Sequence, residues 1–167
     1  MVVVAHLDRV RELTSCPAFQ LHVFVVGIGG RIGSAVAKTL LARGAAVLGV
    51  ARTPNSRTAQ LTRDGATIHV ADVSEDSWEK HLPPRCDAVV CALRGLPNAV
   101  LPLQLRVLEA ARRASVPRFV AADFLPDYTC DTSRSAQLHP MLAERIQFRK
   151  HLSKLTDITG LHVHIGC

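Results

Sequence analysis

A cluster of glycines follows directly on the short apolar run at residues 23–26. Glycine lets the backbone turn tightly at the end of a strand, and its missing β-carbon lets the main chain approach a pyrophosphate closely. When a helix begins at such a turn, its free amide groups and its dipole attract a phosphate. The segment consists of Gly27, Ile28, Gly29, Gly30, Arg31, Ile32 and Gly33. It predicts a phosphate-binding turn, and the alternative is a tight turn that binds no ligand.

An arginine stands just after the second apolar run, which covers residues 47–50. At this place in a dinucleotide-binding unit, an acidic residue accepts hydrogen bonds from the ribose of NAD, whereas an arginine accommodates the 2′-phosphate of NADP. The residue here is Arg52, with Arg57 five positions on and Arg31 inside the glycine turn. Guanidinium groups bind phosphate through paired hydrogen bonds. The sequence therefore favours NADP(H) over NAD(H); the alternative is that some of these arginines are solvated surface charge.

Further candidates lie where parallel strands are predicted to end. Residues 67–70 are predicted to form a third strand, and Asp72 beyond it is placed to accept a hydrogen bond from an adenine amino group. The alternative role of Asp72 is a local cap. Residues 87–91 predict a fourth strand, followed by a turn near the point where strand order reverses and ligands bind. That turn adds Ala92, Leu93 and Arg94 to the candidate set.

Strand and helix patterns alternate along the chain and position these residues. Ile32, Val36 and Leu40 recur at helical spacing, and Gly44 stands where a left-handed C-cap belongs. Further helices are predicted at residues 58–63, 74–81, 97–115 and 141–155, and further strands at residues 118–122 and 161–165. Six strands alternating with helices predict an α/β fold with a doubly wound parallel sheet, a Rossmann fold of strand order 3-2-1-4-5-6. We expect this domain to cover residues 22–167, after an N-terminal extension at residues 1–21.

Composition argues for a soluble domain in a reducing compartment. The 167 residues are 48% hydrophobic, and no apolar run is long enough to span a membrane. The five cysteines form an odd set without paired spacing, as in cytoplasmic proteins. The net charge is +6, but the arginines are scattered and aromatic residues make up only 4%, which argues against nucleic acid as a partner. These features favour a cytoplasmic protein that binds an anionic nucleotide.

Two groups of side chains could ligate a metal, but neither pattern is complete. The first group, which lacks an evident fourth zinc ligand, is His162, His164 and Cys167. The second group, which lacks the turn glycine of a calcium loop, is Asp123, Asp127 and Asp131. We therefore expect no metal site.

These motifs together resemble the NmrA-like and isoflavone reductase-like group of the atypical short-chain dehydrogenases. The glycine spacing is similar to that group's G-x-x-G-x-x-G pattern, Arg52 to its NADP-type position, and residues 117–124 (PRFVAADF) to its fifth-strand signature. The resemblance implies the NADP-binding Rossmann domain of an oxidoreductase that transfers hydride to a small carbonyl or enone substrate. It also implies a substrate-binding part after the sixth strand. Since the sequence ends at Cys167, we expect that part to be largely absent.

The chain departs from the group's pattern at the positions implied to act in catalysis. The resemblance places Arg145 where the group has a lysine near the nicotinamide, and an arginine exchanges protons poorly near neutral pH. Ala122 replaces the group's usual serine in the fifth-strand loop. The catalytic pattern of ordinary short-chain dehydrogenases is also missing, because Tyr128 is followed four residues later by Thr132 instead of a lysine. Three functions therefore remain open. They are an NADPH-dependent reductase with Arg145 at its catalytic position, a non-catalytic redox-sensing regulator with a protein partner, and an inactive relative that binds the cofactor weakly.

Overall fold

The structure, a computed structural model, describes residues 20–96, 98–125, 127–128 and 140–165. Strands and helices alternate along this part of the chain. The strands are β1 (His22–Val26), β2 (Ala46–Ala51), β3 (Thr67–Val70), β4 (Ala88–Cys91), β5 (Arg118–Val120) and β6 (Thr159–Leu161). The α-helices are α1 (Arg31–Ala42), α2 (Ser56–Arg63), α3 (Val100–Arg113) and α4 (Pro140–Leu152), and a 3₁₀ helix (Asp76–His81) precedes β4. Of the predicted extension at residues 1–21, all but the last two residues lie outside the described part.

All six strands form one parallel sheet of order β3-β2-β1-β4-β5-β6. The predicted doubly wound Rossmann order 3-2-1-4-5-6 is confirmed. Strand β1 lies at the centre, where Val23 pairs with Val47 of β2 on one side and with Ala88 of β4 on the other. The order of the strands reverses between β1 and β4. In sheets of this kind, ligands bind at the carboxyl edge beside that reversal.

The side chains of β1 alternate between two apolar layers. Phe24 and Val26 belong to the layer that holds α3, α4 and the buried Trp78 of the 3₁₀ helix. Val23 and Val25 belong to the opposite layer, which is packed under α1 and α2. Because both faces of the central strands are buried, these strands are continuous apolar runs in the sequence.

Helix α1 packs on the sheet through small residues, and the predicted apolar stripe is confirmed at Val36 and Leu40 but not at Ile32. Its buried residues are Gly33 and Ala37, whereas Val36 and Leu40 are only partly buried and Ile32 is 36% exposed. A β-carbon on Gly33 would lie 2.3 Å from the Gly27 carbonyl oxygen, so the start of the helix lies directly against the glycine turn. This close approach puts the glycine, and not Ile32, on the buried face. The predicted left-handed cap after the helix is confirmed, since Gly44 has φ +81°.

The last strand was misplaced by the sequence pattern. Residues 161–165 alternate between apolar and polar side chains, but β6 is Thr159–Leu161 and the chain leaves the sheet after it. The three apolar side chains that suggested the strand, Leu161, Val163 and Ile165, are all exposed. After β6 the chain runs beside the loop that follows β5, where the Ile165 amide donates to the Leu125 carbonyl at 3.0 Å. The alternation therefore begins at the last paired residue, Leu161, and continues into an exposed segment that lies outside the sheet.

Other boundaries differ by a few residues, and one helix differs in type. The predicted helix at residues 74–81 is a 3₁₀ helix that begins at Asp76, and β5 ends at Val120 instead of residue 122. Helix α4 ends at Leu152 instead of residue 155. Within the described residues, no helix combines the length and the apolar character that crossing a membrane requires.

Candidate nucleotide-binding site

The glycine turn joins β1 to α1 with almost no space for side chains. The Gly27 and Ile28 amides both donate to the Val50 carbonyl, at 3.1 and 3.2 Å, and the Gly30 amide donates to the Gly27 carbonyl at 3.0 Å. Gly27 has φ +80°, and a β-carbon there would lie 2.8 Å from the Ala92 carbonyl oxygen. Only glycine satisfies both restrictions. The turn therefore lies tightly between the carboxyl ends of the central strands.

The first turn of α1 presents amide groups without a side-chain cap. Its N-cap residue is Gly30, whose backbone is extended and which has no side chain to accept from the helix amides. No acidic residue lies in the first turn of the helix. The positive end of the helix dipole is therefore not neutralised by the helix's own side chains, a condition that favours an anion.

A cavity of about 440 Å³ opens at this edge of the sheet. Its walls come from the carboxyl ends of β1, β2, β3 and β4 and from the start of α3. The lining residues are Val26, Gly27, Gly29, Gly30, Val50, Ala51, Arg52, Thr53, Asn55, Ala71, Asp72, Val73, Ala92, Leu93, Arg94, Gly95, Ala99, Val100 and Leu103. The cavity lies over the reversal of strand order, where the fold places a nucleotide.

Most of the candidate residues from the sequence lie in this wall. The candidates that line the cavity are Gly27, Gly29, Gly30, Arg52, Asp72, Ala92, Leu93 and Arg94. The candidates that do not line it are Ile28, Arg31, Ile32, Gly33 and Arg57. Ile28 is fully buried in the core, and Gly33 is the packing contact of α1. The roles of all these residues in binding stay predictions.

Of the three arginines that led the sequence analysis to favour NADP(H), which are Arg31, Arg52 and Arg57, only Arg52 lines the cavity. Arg52 lies in its wall, but Arg57 lies in the first turn of α2 and lines a separate cavity of about 340 Å³ beside Lys38 of α1. The reason is that α2 begins at Ser56, so Arg57 belongs to the helix and not to the loop after β2. The second guanidinium in the wall is that of Arg94, which follows β4.

The Asp72 carboxylate makes the local cap, which is one of the two roles that the sequence left open. Its Oδ1 accepts from the Ser74 amide at 2.9 Å and from the Ser74 hydroxyl at 2.8 Å. These hydrogen bonds, first from the amide and then from the hydroxyl, hold the pKa of the carboxyl below its ordinary value, and the charge of Arg52 acts in the same direction. Among the described residues, Oδ2 has no hydrogen-bond partner. One carboxylate oxygen thus shapes the turn, and the other remains available at the cavity wall.

Asn55 is a lining residue that the sequence interpretation missed. Its Oδ1 accepts from the amides of Arg57 and Thr58 at 2.9 and 3.1 Å, and its Nδ2 donates to the Gly29 carbonyl at 3.2 Å. The Thr58 hydroxyl accepts in turn from the Asn55 amide, which completes a capping box. The spacing of Asn55 and Thr58 in the sequence is the signal that could have found this cap. Asn55 therefore joins the glycine turn to the start of α2.

A second polar cluster lies at the same edge of the sheet, beyond β5 and β6. Asp123 is completely buried, and it accepts from the Tyr128 hydroxyl at 2.8 Å and contacts Nδ1 of His162 at 2.5 Å. Arg145 of α4 is 5% exposed and pairs with the same carboxylate, with Nε 3.7 Å from Oδ1. Burial, and then the hydrogen bond to Asp123, raise the pKa of Tyr128. We call Asp123, Tyr128, Arg145 and His162 the Asp123 cluster.

Helix α4 also positions one wall of the cavity. The buried Glu144 carboxylate accepts from the Asn98 amide and, at 3.3 Å, from the Leu101 amide at the start of α3. The buried Gln104 of α3 accepts in turn from the Ala122 amide after β5, at 2.8 Å. The start of α3, the loop after β5 and α4 are therefore held together by buried side-chain contacts.

Within the described ranges, no group of three or more His, Cys, Asp or Glu side chains is arranged to hold a metal ion. Cys167 and Asp131, which the sequence analysis considered as ligands, lie outside these ranges. The ring of His162 is instead turned to Asp123, and the ring of His164 contacts Tyr128 edge-on at 5.2 Å between centroids.

A family of proteins described as NAD(P)H-binding has a sequence model that matches residues 27–158. The chain belongs to this NAD(P)H-binding family. The match covers the glycine turn, Arg52, Asp72 and the Asp123 cluster except for His162. No curated protein sequence matches the chain.

Solved structures match this NAD(P)H-binding protein over most of its length. AtPrR2 with NADP⁺ and (+)pinoresinol has a TM-score of 0.71 and 22% identity, over 90% of this chain and 51% of that one. Leucoanthocyanidin reductase with NADPH from Vitis vinifera has a TM-score of 0.68 and 21% identity, over 87% and 49%. Isoflavone reductase has a TM-score of 0.66 and 15% identity, over 81% and 46%.

At these identities the likeness establishes the fold, and it is the fold of the isoflavone reductase-like group that the motifs resemble. The NAD(P)H-binding protein spans about half the length of these solved structures.

Proposed function

We propose that this protein binds NADP(H) in preference to NAD(H) and acts as the cofactor-binding domain of a reductase for small carbonyl or enone compounds. The observation that supports this most directly is Arg52 in the cavity wall at the carboxyl end of β2. A nucleotide whose pyrophosphate lies over the glycine turn has its adenosine ribose beside the end of that strand. The guanidinium of Arg52 then lies where a 2′-phosphate would lie, with no carboxylate in the place that binds the two ribose hydroxyls of NAD.

Other residues of the same wall would bind the remaining parts of the nucleotide. The glycine turn and the uncapped first turn of α1 bind the pyrophosphate through their amides. The free Oδ2 of Asp72 accepts from the adenine amino group. Two of the matched solved structures hold NADP⁺ or NADPH, which supports the proposal by analogy of fold.

A second candidate function is a regulator that binds NADP(H) without turnover. The resemblance implies that Arg145 stands where the related group has a lysine, and the structure supports this function because the Arg145 side chain is buried against Asp123. The Tyr128 hydroxyl also donates a hydrogen bond to Asp123, and its pKa is raised by burial and by that bond. Neither side chain serves readily as an acid near neutral pH. The two functions share the nucleotide site and differ in turnover.

The experiment that tests the shared site is Arg52→Asp, measured by calorimetric titration with NADP⁺ and NAD⁺. Loss of a charged hydrogen bond costs about 1.5–3 kcal/mol, so NADP⁺ affinity should fall roughly tenfold to a hundredfold while NAD⁺ affinity holds or rises. Arg118→Asp is the matched control, because Arg118 is exposed at the start of β5, on the opposite edge of the sheet. It makes the same change of charge and should leave both affinities unchanged. Unchanged NADP⁺ affinity in Arg52→Asp would contradict the assignment.

A further inference from the structure

The Asp123 cluster lies beside the nucleotide cavity and forms no part of its wall. Asp123 follows β5 and His162 follows β6, so both stand at the carboxyl edge of the sheet. Strand β5 pairs with β4, whose carboxyl end is followed by lining residues of the cavity, and β6 pairs with β5. A dinucleotide that lies across the reversal of strand order has adenosine over β2 and β3 and nicotinamide over β4 and β5. The cluster therefore stands next to the nicotinamide end.

The cluster has a free-energy cost for folding, because it contains a buried carboxylate. A buried charge costs several kcal/mol unless its partners satisfy it fully. Here Arg145 approaches Asp123 only to 3.7 Å, and among the described residues neither Oδ1 of Asp123 nor Nε of Arg145 has a hydrogen-bond partner. Well-packed apolar residues would stabilise the fold at least as well. A costly polar cluster at the ligand edge of the sheet is typical of a functional site.

His162 is the member of the cluster that reaches both Asp123 and solvent. Its Nδ1 is held by Oδ2 of Asp123, and its side chain is 16% exposed. In the described part of the chain, Nε2 of the ring has no hydrogen-bond partner. A carboxylate on Nδ1 fixes the ring's orientation and its tautomer and leaves Nε2 to face a reactant. His162 thus has the arrangement of an oriented acid–base histidine.

The other members of the cluster cannot move a proton readily. The Tyr128 hydroxyl already donates a hydrogen bond to Asp123, and burial keeps Tyr128 in its neutral phenol form. An arginine stays charged across the physiological range, and Asp123 has no exposed surface. Histidine is the residue type that exchanges a proton near neutral pH. Arg145 and Tyr128 are therefore positioning residues, which hold the carboxylate that orients the ring.

We propose that His162, oriented by Asp123, is the catalytic proton donor of the reductase; this rests on the proposed function. Bound NADPH would supply a hydride, whose two electrons would form the new C–H bond at the substrate's carbonyl carbon. The π pair of the carbonyl moves to the oxygen, which takes the proton from Nε2 of the His162 imidazolium. The products would be the alcohol, NADP⁺ and neutral imidazole, and the imidazole would then take up one proton from solution, so that the reduction consumes NADPH and H⁺. With an enone, hydride adds to the β-carbon and the same proton goes to the enolate oxygen.

The first test observes the ring directly and needs no cofactor. Long-range ¹⁵N NMR of the apoprotein should show the neutral His162 ring with its proton on Nδ1. In Asp123→Asn that preference should be lost, while the exposed His151 on α4 gives the same signals in both proteins. A wild-type His162 ring with its proton on Nε2 overturns the proposal. Because a buried substitution at Asp123 can impair folding, the wild-type spectrum alone decides this arm.

The second test separates catalysis from nucleotide binding. In His162→Gln, NADPH oxidation with a panel of carbonyl and enone compounds should fall by about 10²–10⁴-fold, the usual contribution of a general acid. NADPH affinity by calorimetry should stay within about twofold of wild type, and His151→Gln should change neither quantity. Added imidazole should restore part of the rate in His162→Ala, which a merely structural role would not allow.

Turnover by His162→Gln at the wild-type rate overturns the proposal, as does a wild-type protein that binds NADPH but reduces no compound of the panel. That second result supports the regulator instead and leaves the nucleotide site intact. A wild-type protein that does not bind NADPH overturns the proposed function itself, and the catalytic role of His162 with it.

Discussion

At the scale of single residues, Gly30 and Gly33 lie in one turn but differ in the space around their Cα atoms. A β-carbon on Gly33 would meet the Gly27 carbonyl oxygen at 2.3 Å, whereas one on Gly30 would meet the same atom at 3.2 Å. The close contact of Gly33 is with backbone, which cannot move aside cheaply. Gly33 is therefore needed for packing, and Gly30 for access to the cavity.

We expect Gly33→Ala to destabilise the fold and Gly30→Ala to destabilise it less, because a β-carbon on Gly30 would lie 3.2 Å and not 2.3 Å from the Gly27 carbonyl oxygen. Overpacking costs about 1–3 kcal/mol, and the rigid backbone contact puts Gly33→Ala near the top of that range. The gain in helix propensity, about 1 kcal/mol, does not offset this. Urea unfolding measures both variants. Equal losses of stability would contradict the assignment of packing to Gly33.

The same pair separates stability from binding. The larger Gly30→Val places a branched side chain at the wall where the pyrophosphate is proposed to lie. It should abolish binding of NADP⁺ and of NAD⁺ in calorimetry while circular dichroism still shows the folded protein. If Gly30→Val binds NADP⁺ as wild type does, the turn is structural only.

Cys91 makes the stability of the fold sensitive to alkaline pH. Burial raises the pKa of its thiol to about 12 from an ordinary value of 9.0. Between these values the unfolded chain loses the thiol proton and the folded chain keeps it, so the free energy of unfolding falls as pH rises. At full effect the slope from one such group is about 1.4 kcal/mol per pH unit.

We expect Cys91→Ala to reduce this alkaline loss, although the substitution lowers stability at neutral pH by leaving a small void. Urea unfolding at pH 8, 9 and 10 gives the slope for each protein. Some slope should remain in the variant, because the pKa values of Cys86 and Tyr128 are also raised. Identical slopes in the two proteins would show that Cys91 does not carry the effect.

At the scale of elements, Glu144 of α4 acts as the N-terminal cap of α3. It replaces the side-chain cap that α3 lacks, since its own N-cap residue is Ala99. Loss of a cap costs about 0.5–2 kcal/mol. Because Ala99 and Val100 line the nucleotide cavity, the contact also fixes part of the binding wall.

Glu144→Ala should therefore lower the free energy of unfolding by about 1–2 kcal/mol and weaken NADP⁺ binding as well. Hydrogen exchange of the Asn98 and Leu101 amides should become faster, because these amides lose their acceptor. Glu75→Ala, at an exposed residue before the 3₁₀ helix, is the control and should change none of these quantities. Unchanged exchange at both amides would show that the cap contributes nothing in solution.

The elements differ in how far the sequence predicted them. Continuous apolar runs such as residues 23–26 identified the central strands, because burial on both faces leaves no polar positions. The edge strand β6 is not buried on both faces, so its sequence is not a continuous apolar run. The exposed apolar residues after it alternate with polar ones and were therefore predicted to be the strand. The stripe on α1 failed at Ile32 because the helix packs through Gly33, whose lack of a side chain gives no signal in a hydrophobic pattern.

The sequence predicted the site residues that directly follow strands, but it did not predict the contacts between residues that are far apart in the chain. Arg52 and Asp72 follow β2 and β3 directly, so their place at the edge of the sheet follows from the fold. Arg57 lies outside the cavity wall because α2 begins at Ser56. The contact of Asp123 with His162 joins residues 39 positions apart, and neither residue has a local pattern that implies the other.

At the scale of the whole molecule, the cavity covers only one part of the sheet's carboxyl edge. It is lined by the ends of β1 to β4 and the start of α3, and no described residue from 118 onward contributes to its wall. Arg52 and Asp72 stand on the half that is assigned to adenosine. The nicotinamide end would therefore extend beyond the cavity toward the Asp123 cluster, with fewer contacts to hold it.

We accordingly expect 2′-phospho-ADP-ribose, which lacks nicotinamide, to compete with NADPH at an affinity within about tenfold, or about 1.4 kcal/mol. ADP-ribose without the 2′-phosphate should bind at least tenfold more weakly than its phosphorylated form, since it forgoes the contact with Arg52. In Arg52→Asp the difference between these two competitors should disappear. Competition titrations against NADPH fluorescence measure all three affinities. A 2′-phospho-ADP-ribose affinity a hundredfold below that of NADPH would mean that the nicotinamide is held firmly, and that the edge beyond β4 contributes as much to binding as the adenosine half.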